Sequence, residues 1–171
     1  MESLLIISGS MGAGKTTILG EASDILALRQ IIHAAIDLDA LGLAHLPSGV
    51  SCDGVMYRNL QSVCENYHSL GVRRLLLARA IESRSELDVC RDAASAANTV
   101  VCRLTASIEE MQQRVKARES GVLRREYVER VARLNGILDR ARLDDFIVRT
   151  EDRSPGEAAQ EMRARAGWIS V

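Results

Sequence analysis

The chain has 171 residues, of which 47% are hydrophobic and 26% are charged, and its formal net charge is −1. This length and composition are typical of one globular domain, residues 1–171, with a core large enough to fold without disulfides or structural metals. A charge this close to neutral gives no electrostatic attraction for nucleic acid or for an acidic membrane surface, so we expect neither as a partner.

The predicted elements of the first half alternate short apolar runs with longer amphipathic segments. Residues 4–8 form a continuous apolar run, which is typical of a buried parallel strand. Residues 15–28 carry apolar side chains at helical spacing and predict a helix. In chain order, the remaining predictions are a strand at 31–36 that leads into Asp37, a loop at 47–49, a helix at 54–69 that Gly71 terminates, and a strand at 72–80.

The second half continues the same alternation. Ser107 is the predicted N-cap of a helix that runs to about 119, because a serine hydroxyl there accepts a bond from a free backbone N–H. The other predictions are a helix at 86–97, a strand at 99–104, an arginine-rich helix at 125–142, a strand at 146–149 and a last helix that Pro155 opens. Five strands separated by helices predict a three-layer α/β fold with a parallel sheet.

The segment between the first strand and the first helix matches the pattern GxxxxGK(S/T) at every fixed position. Glycines let the backbone turn its N–H groups towards phosphates, and the N-terminus of the following helix adds a positive dipole end. The positive charge of Lys15 would bind the β- and γ-phosphates, which makes Lys15 a catalytic candidate. The Thr16 hydroxyl would ligate Mg²⁺. The predicted binding residues for ATP and Mg²⁺ are Gly9, Ser10, Met11, Gly12, Ala13, Gly14, Lys15, Thr16 and Thr17.

Two carboxylates follow the second predicted strand, in the sequence Asp37-Leu38-Asp39. The ligand crevice of an open α/β sheet lies at the carboxyl ends of its strands, so we expect Asp37 to face the same crevice as the glycine loop. A carboxylate there holds Mg²⁺ through water or takes the proton from an attacking hydroxyl. We assign Asp37 to the metal and to catalysis, and the sequence leaves open whether Asp37 or Asp39 is the base.

Arginines cluster on either side of Gly121. Arg114 and Arg118 are four residues apart and therefore share a helix face, and a second pair follows at 124–125. Arginines that close over a phosphoryl group stabilise the charge that its transfer spreads over three oxygens. The cluster predicts a lid at about 114–128, in which Arg114 and Arg118 contact the nucleotide and Arg118 takes part in catalysis.

The glycine loop, the two aspartates, the arginine cluster and a late strand leading into Glu151-Asp152-Arg153 together resemble the small P-loop kinases. These include adenylylsulfate kinase, gluconate kinase, chloramphenicol phosphotransferase and the nucleotide kinases. The order of elements is similar over nearly the whole chain. The resemblance implies a P-loop NTPase fold with a five-stranded parallel sheet and a short lid. It also implies that residues 150–155 form one wall of the adenine pocket, with Asp152 and Arg153 among the nucleotide contacts.

In such kinases the acceptor binds to the segment after the second strand, here about 40–70, and to the end of the third strand. The acceptor candidates are Asp37, Asp39, Arg58 and Arg79, with His45, Asp53 and Tyr57 as further polar residues of the region. Arg79 is favoured, because a charge at the carboxyl end of a buried strand needs a partner. We expect it to bind an anionic acceptor or the transferred phosphoryl group.

The sequence therefore favours an ATP-dependent kinase that phosphorylates a small-molecule acceptor. The alternative is a nucleotide-binding regulatory module without transfer activity, and a third possibility is slow hydrolysis with Glu82 positioning the water. The third strand lacks a Walker B aspartate, which argues against a motor ATPase, and the lack of an NKxD motif favours ATP over GTP. No apolar run approaches about 18 residues. We expect a cytoplasmic protein that is a monomer or a homodimer.

Overall fold

A parallel sheet runs through the centre of residues 1–168, which are the residues that this computed structural model describes. Its strands are β1 (Ser3–Gly9), β2 (Ala34–Asp37), β3 (Arg74–Ala78), β4 (Asn98–Thr105) and β5 (Phe146–Arg149). All five strands in this part of the chain are parallel, and their order across the sheet is β2-β3-β1-β4-β5. β1 is therefore central, with β3 on one side and β4 on the other.

Helices cover both faces of this sheet. They are α1 (Lys15–Leu28), α2 (Leu38–Leu41), α3 (Cys52–Ser69), α4 (Arg84–Ala93), α5 (Ile108–Arg118), α6 (Arg124–Ala141) and α7 (Pro155–Arg165). Successive side chains of a strand point to opposite faces, so β1 contributes to both layers. Leu5 and Ile7 pack in a core with α1, α5, α6 and α7, whereas Leu4 and Ile6 pack with α2, α3 and α4. The predicted three-layer α/β fold with a five-stranded parallel sheet is confirmed within residues 1–168.

The register of the strands brings three chain segments to one edge of the sheet. Ile7 in β1 and Asp37 at the end of β2 are both opposite Ala78 in β3. The residues that follow these positions, among them the glycine loop after β1 and Arg79 after β3, therefore meet at the carboxyl edge. This is the edge at which open α/β sheets bind their ligands.

Two element boundaries differ from the sequence-based prediction by more than two residues, each for a local reason. The strand predicted from residue 31 begins at Ala34, because the N–H of Ile31 still donates to the Leu26 carbonyl oxygen in the turn that ends α1. The helix predicted to run to residue 97 ends at Ala93, and Ser95 then adopts a φ of 47°, which reverses the chain before β4.

The short helix α2 is the element that the sequence did not predict. It has 4 residues, too few to show a periodic apolar pattern. Asp37 is its N-cap, and the carboxylate of Asp37 accepts a bond from the backbone N–H of Asp39 at 3.3 Å. This capped turn fixes the position of Asp39 relative to the end of β2.

The longest helices of the described chain, α3 and α6, have 18 residues each. Across residues 1–168, none of the helices combines the length and the hydropathy that crossing a membrane requires.

Candidate active site

The loop between β1 and α1 takes a conformation that its glycines make possible. Gly12 and Gly14 have φ angles of 78° and 95°, a region that residues with side chains rarely adopt. A Cβ on Gly12 would lie 2.2 Å from the carbonyl oxygen of Met111, so the loop packs directly against α5. Gly14 is the N-cap of α1 and leaves the first N–H groups of the helix without a side-chain cap. The loop therefore presents free donors at the positive end of the helix dipole.

Lys15 is partly buried, and its side chain folds back over the loop. Its Nζ donates to the carbonyl oxygen of Ser10 at 3.3 Å. Burial lowers the pKa of Lys15, and the negative charges of Asp39 and Asp37 oppose that lowering. A phosphate placed beside this ammonium would favour its charged form further.

Thr16 joins the loop to the end of β2. Its hydroxyl donates to Oδ2 of Asp37 at 2.6 Å, while Oδ1 of Asp37 accepts the N–H of Asp39. Mg²⁺ in nucleotide sites takes one or two protein oxygens and completes its shell with phosphates and water. The hydroxyl of Thr16 and the carboxylate of Asp37 are oxygen donors of that kind, next to the glycine loop, and they fit this cation.

Arg79 lies at the centre of an ion-pair network at the end of β3. Its guanidinium contacts Asp39 through Nη1 at 2.5 Å, Glu86 through Nε at 3.1 Å and Asp53 through Nη2 at 3.4 Å. Only 20% of the Arg79 side chain is exposed. Burial lowers the pKa of Arg79, but the bonds and charges of Asp39 and Glu86 outweigh it and raise the pKa overall. Arg79 therefore carries a permanent charge that these carboxylates already surround.

A cavity of about 130 Å³ lies over the glycine loop. Arg118 reaches it from the C-terminal end of α5, and Asp39 reaches it from α2. The side chain of Arg118 is 61% exposed, and its Nε donates to Oε1 of Glu119 at 2.9 Å. The residues that line the cavity are Met11, Gly12, Gly14, Lys15, Thr16, Thr17, Asp39 and Arg118. Cations, free backbone donors and one carboxylate thus meet in the same space.

A second cavity, of about 270 Å³, adjoins the first, since both include Gly14 and Thr17. Its apolar wall comes from Ile18 together with Pro155 and Ala158 of α7. The remaining residues that line it are Arg114, Thr150, Arg153 and Ser154. An elongated ligand with a polyanionic end and a flat, weakly polar end matches this pair of cavities.

Arg114 holds three parts of the site together. Its guanidinium donates to the Gly12 carbonyl oxygen at 3.3 Å, to the Thr150 hydroxyl at 3.0 Å and to the Thr150 carbonyl oxygen at 3.0 Å. Nε donates to Glu110 one turn earlier in α5. The Thr150 hydroxyl donates in turn to the carbonyl oxygen of Ala13 at 3.1 Å. Arg114 therefore connects α5, the glycine loop and the segment after β5.

The segment after β5 was expected to form one wall of a nucleotide pocket, and its residues differ in where they point. Arg153 lines the larger cavity and pairs with Glu161 of α7. Asp152 is exposed, has a φ of 54° and lies outside the lining of both cavities. Glu151 accepts bonds from Ser107 that lower the pKa of its carboxyl group.

Four other predicted residues lie outside the linings of the two cavities. Arg58 is exposed on α3 and makes no ion pair within residues 1–168. The lid arginines Arg124 and Arg125 are exposed at the start of α6, where Arg125 pairs with Glu129 on its own helix. Ser10 belongs to the glycine loop, but its hydroxyl donates to the Val131 carbonyl oxygen and supports the loop from behind.

Glu86 is the site residue that sequence analysis assigned only to a helix. Its carboxylate binds Arg79, accepts the Tyr57 hydroxyl at 3.0 Å and accepts the N–H of Glu82 at 2.8 Å. One signal could have found it: Ser83 caps α4, which places Glu86 in the first turn just after the carboxyl end of β3.

Comparison with solved structures identifies the fold as that of the small P-loop kinases, which confirms the resemblance at the level of the fold. A sugar kinase from Janibacter sp. HTCC2649 superposes with a TM-score of 0.68 at 16% identity, covering 96% of this chain and 94% of that one. The APS kinase of Mycobacterium tuberculosis, solved with AMPPNP and APS, gives 0.65 at 18% identity, with 98% of each chain covered. Shikimate kinase from Acinetobacter baumannii, solved with shikimate, gives a TM-score of 0.61 at 17% identity, covering 100% of this chain and 96% of that one. Searches with protein-family models and of curated proteins found no match.

Proposed function

We propose that this protein is a kinase that transfers the γ-phosphoryl group of ATP to a hydroxyl group of a small molecule. The observation that carries the proposal is the shared cavity of Lys15, Thr16, Asp39 and Arg118, which combines a phosphate-binding loop with a carboxylate and a second cation. The likeness in fold to several small-molecule kinases supports the same reaction class. The cytoplasmic location and the monomeric or homodimeric state stay predictions from the sequence.

The two adjoining cavities suggest how the nucleotide lies. The free N–H groups of the loop and the ammonium of Lys15 would bind the phosphates, and the Thr17 hydroxyl would reach the α-phosphate. The base would occupy the larger cavity between Ile18 and α7, with the guanidinium of Arg153 at its edge. Mg²⁺, held by Thr16 and Asp37, would neutralise and orient the β- and γ-phosphate oxygens.

The contacts of the two aspartates support assigning them different tasks. Both oxygens of Asp37 accept a hydrogen bond, one from the Thr16 hydroxyl and one from the N–H of Asp39. This position beside Thr16 suits a ligand of Mg²⁺. Asp39 lines the cavity over the glycine loop, which we call the phosphate cavity, and is oriented by Arg79. We therefore assign the base to Asp39: it takes the proton of the acceptor hydroxyl as that oxygen bonds to the γ-phosphorus and the bond to ADP breaks.

Arg118 is placed to complete the site from the lid. Its guanidinium lines the cavity from the last turn of α5, and its large exposed fraction leaves it free to close over the γ-phosphate. Closure would exclude water and stabilise the charge of the transferring group. This expected role follows the sequence-based assignment of Arg118 to catalysis.

The alternative function, a nucleotide-binding regulator without transfer, does not require a carboxylate at the γ-phosphate position. The place of Asp39 in the phosphate cavity therefore favours transfer over regulation. Hydrolysis would need a side chain that orients water, and the candidate Glu82 instead pairs with Arg130 at 3.6 Å.

The deciding experiment is an assay of acceptor-dependent ADP release with Mg-ATP. Wild-type protein would be compared with two variants. Lys15→Ala removes the positive charge that would bind the phosphates, and Asp39→Asn removes the base but keeps the shape of the side chain. We expect turnover in wild type only, with ATP binding retained by Asp39→Asn. Tight ATP binding without turnover on any acceptor would favour the regulator, and full activity of Lys15→Ala would contradict the assignment of the loop.

A further inference from the structure

The charges around the end of β3 limit the kind of acceptor that the site can take. All three guanidinium nitrogens of Arg79 face a carboxylate, from Asp39, Glu86 and Asp53 respectively. An anionic acceptor would have to displace one of these carboxylates to reach the cation. Breaking such a pair leaves a charge without its partner and is costly in a partly buried site.

The neighbouring groups add further negative charge. Glu82 joins the network through its backbone N–H, which donates to Glu86, and its carboxylate pairs with one cation among residues 1–168, Arg130. In the connected network, four carboxylates therefore face two guanidinium groups, Arg79 and Arg130. The surplus of negative charge repels an anion and attracts a cation or a neutral hydrogen-bond donor.

The remaining cations do not offset this surplus at the acceptor end. Lys15 and Arg118 line the phosphate cavity, where the nucleotide would use their charges. Arg58, the other cation expected at the acceptor, is exposed on α3 and outside the network that the described residues form.

Two carboxylate oxygens stay available for a ligand. Arg79 bonds to Oδ1 of Asp39 and to Oδ1 of Asp53, and the Oδ2 atoms of both residues have no hydrogen-bond partner among residues 1–168. Both side chains are open to solvent, with 60% and 70% of their areas exposed. An ionised carboxylate accepts hydrogen bonds and donates none, so the matching groups on an acceptor are hydroxyls and ammonium groups.

Resting on the kinase function proposed above, we propose that the acceptor is a polyhydroxyl compound without negative charge, a neutral sugar or cyclitol or its amino derivative. The role of Arg79 is then to orient Asp39, in place of the anion-binding role expected from the sequence. Sugar acids, sugar phosphates and nucleoside monophosphates are disfavoured by the same charges.

The test compares acceptors that share a skeleton and differ in charge. One series is glucose, glucosamine, gluconate and glucose 6-phosphate, and a second is inositol, an inosamine and inositol monophosphate. ADP release would be measured as kcat/KM for each compound with Mg-ATP. We expect the neutral or amino member to exceed its anionic counterpart by about tenfold or more, as one nearby unscreened charge suffices for that factor.

Two results would overturn the inference in different ways. A preference for the anionic member of a series would contradict the acceptor class and leave the kinase function intact. Turnover of no compound in either series, with Mg-ATP bound, would count against the kinase function itself and remove the basis of the inference.

A charge variant tests the physical cause. Asp53→Asn removes one carboxylate from Arg79 without touching the phosphate cavity. We expect the ratio of kcat/KM for the amino sugar to that for the sugar acid to fall by about five- to tenfold. Asp24→Asn, an equal charge change on an exposed residue of α1, is the matched control and should leave the ratio unchanged. An unchanged ratio in Asp53→Asn would overturn the electrostatic argument.

Discussion

Side chains of the same type have different surroundings in this site because their partners differ. Asp37 is held by the Thr16 hydroxyl and caps α2, whereas Asp39 faces the phosphate cavity and is held by Arg79. The lysine of the loop is set apart by burial, which acts against its charge in the absence of phosphate. At this scale, protonation and loop shape are the properties that substitutions can test.

Nucleotide binding should take up a proton at alkaline pH through Lys15. Burial places the pKa of Lys15 below 10.5 in the free protein, and adjacent phosphates would raise it again. Between the lowered pKa of the free protein and the higher pKa of the complex, the bound state therefore holds more proton than the free state, and affinity falls as the pH rises through that window. Calorimetric titration with Mg-AMPPNP in two buffers of different ionisation enthalpy measures the uptake.

Lys116 provides a direct control for this prediction, because it is the other lysine of the chain and lies exposed on α5. Lys116→Met should keep the proton uptake of wild type, and Lys15→Met should lose it together with most of the affinity. Uptake that survives in Lys15→Met would assign the titration to another group.

Gly12→Ala should destabilise the protein and remove nucleotide binding. The new Cβ would lie 2.2 Å from the Met111 carbonyl oxygen, at a backbone φ of 78°. We expect a loss of about 2–3 kcal/mol in the free energy of unfolding, measured with urea. Gly20→Ala, in the exposed middle of α1 with no atom near the added Cβ, should instead stabilise by about 0.5–1 kcal/mol. Equal effects of the two substitutions would contradict the packing of the loop on α5.

The glycine loop could be predicted from the sequence because the residues that define its pattern are neighbours in the chain. The partners of Arg79 could not, since Asp39 and Asp53 are 40 and 26 residues away along the chain. A motif records local backbone geometry, whereas an ion-pair network depends on where separate helices are packed.

At the scale of elements, α5 carries both a fixed and a movable part of the site. Arg114 binds the glycine loop and Thr150 through three hydrogen bonds, so the middle of the helix is tied to the fold. Arg118, one turn later, has an exposed side chain and bonds only to its neighbour Glu119 among the described residues. Val115 is the last buried residue of α5, so the predicted lid region leaves the core after Val115, and the residues near 120 are the exposed part.

Arg118→Ala should lower turnover much more than ATP affinity. Arg118 lines the phosphate cavity and makes no bond to the glycine loop among the described residues, so we expect it to act on the transferring group. We expect kcat to fall by about a hundredfold. Arg125→Ala, whose side chain is 92% exposed, should leave both kcat and the ATP affinity unchanged. Steady-state kinetics and equilibrium ATP binding on the same preparations separate the effect on turnover from the effect on affinity. Equal losses of kcat in Arg118→Ala and Arg125→Ala would contradict the specific role of Arg118.

Helix caps could be predicted from the sequence at this scale, whereas the short helix α2 could not. Ser107 caps α5 and Ser154 caps α7, with Pro155 at the start of that helix, because caps are local hydrogen bonds that residue type determines. Helix α2 leaves no periodic pattern, and it positions the residue to which we assign the base.

At the scale of the whole molecule, two cores on opposite faces of one sheet bury most of the thiols. Cys102 lies in the core with α1 and α7, while Cys64 and Cys90 lie in the core with α3 and α4. Cys52 is exposed at the start of α3, and all four thiols are free. Thiol accessibility therefore reports on the integrity of both cores.

Alkylation of the native protein should modify Cys52 alone. Burial raises the pKa of Cys64 to about 11 and the pKa values of Cys90 and Cys102 to about 12, so these thiols are protonated as well as inaccessible. Mass spectrometry after iodoacetamide treatment at pH 8 should find one adduct in native protein and four after denaturation. Rapid native labelling of Cys102 would contradict the packing of α1 and α7 over β4.

The central position of β1 has a consequence for how the chain is made. β1 is complete at Gly9, but its neighbours in the sheet are β3 and β4, which end at Ala78 and Thr105. Contacts of such long sequence separation form slowly, and during synthesis they must wait until the later strands have emerged from the ribosome. The glycine loop packs against α5, which is synthesised later still. The glycine loop therefore reaches its packed state only after α5 has been synthesised.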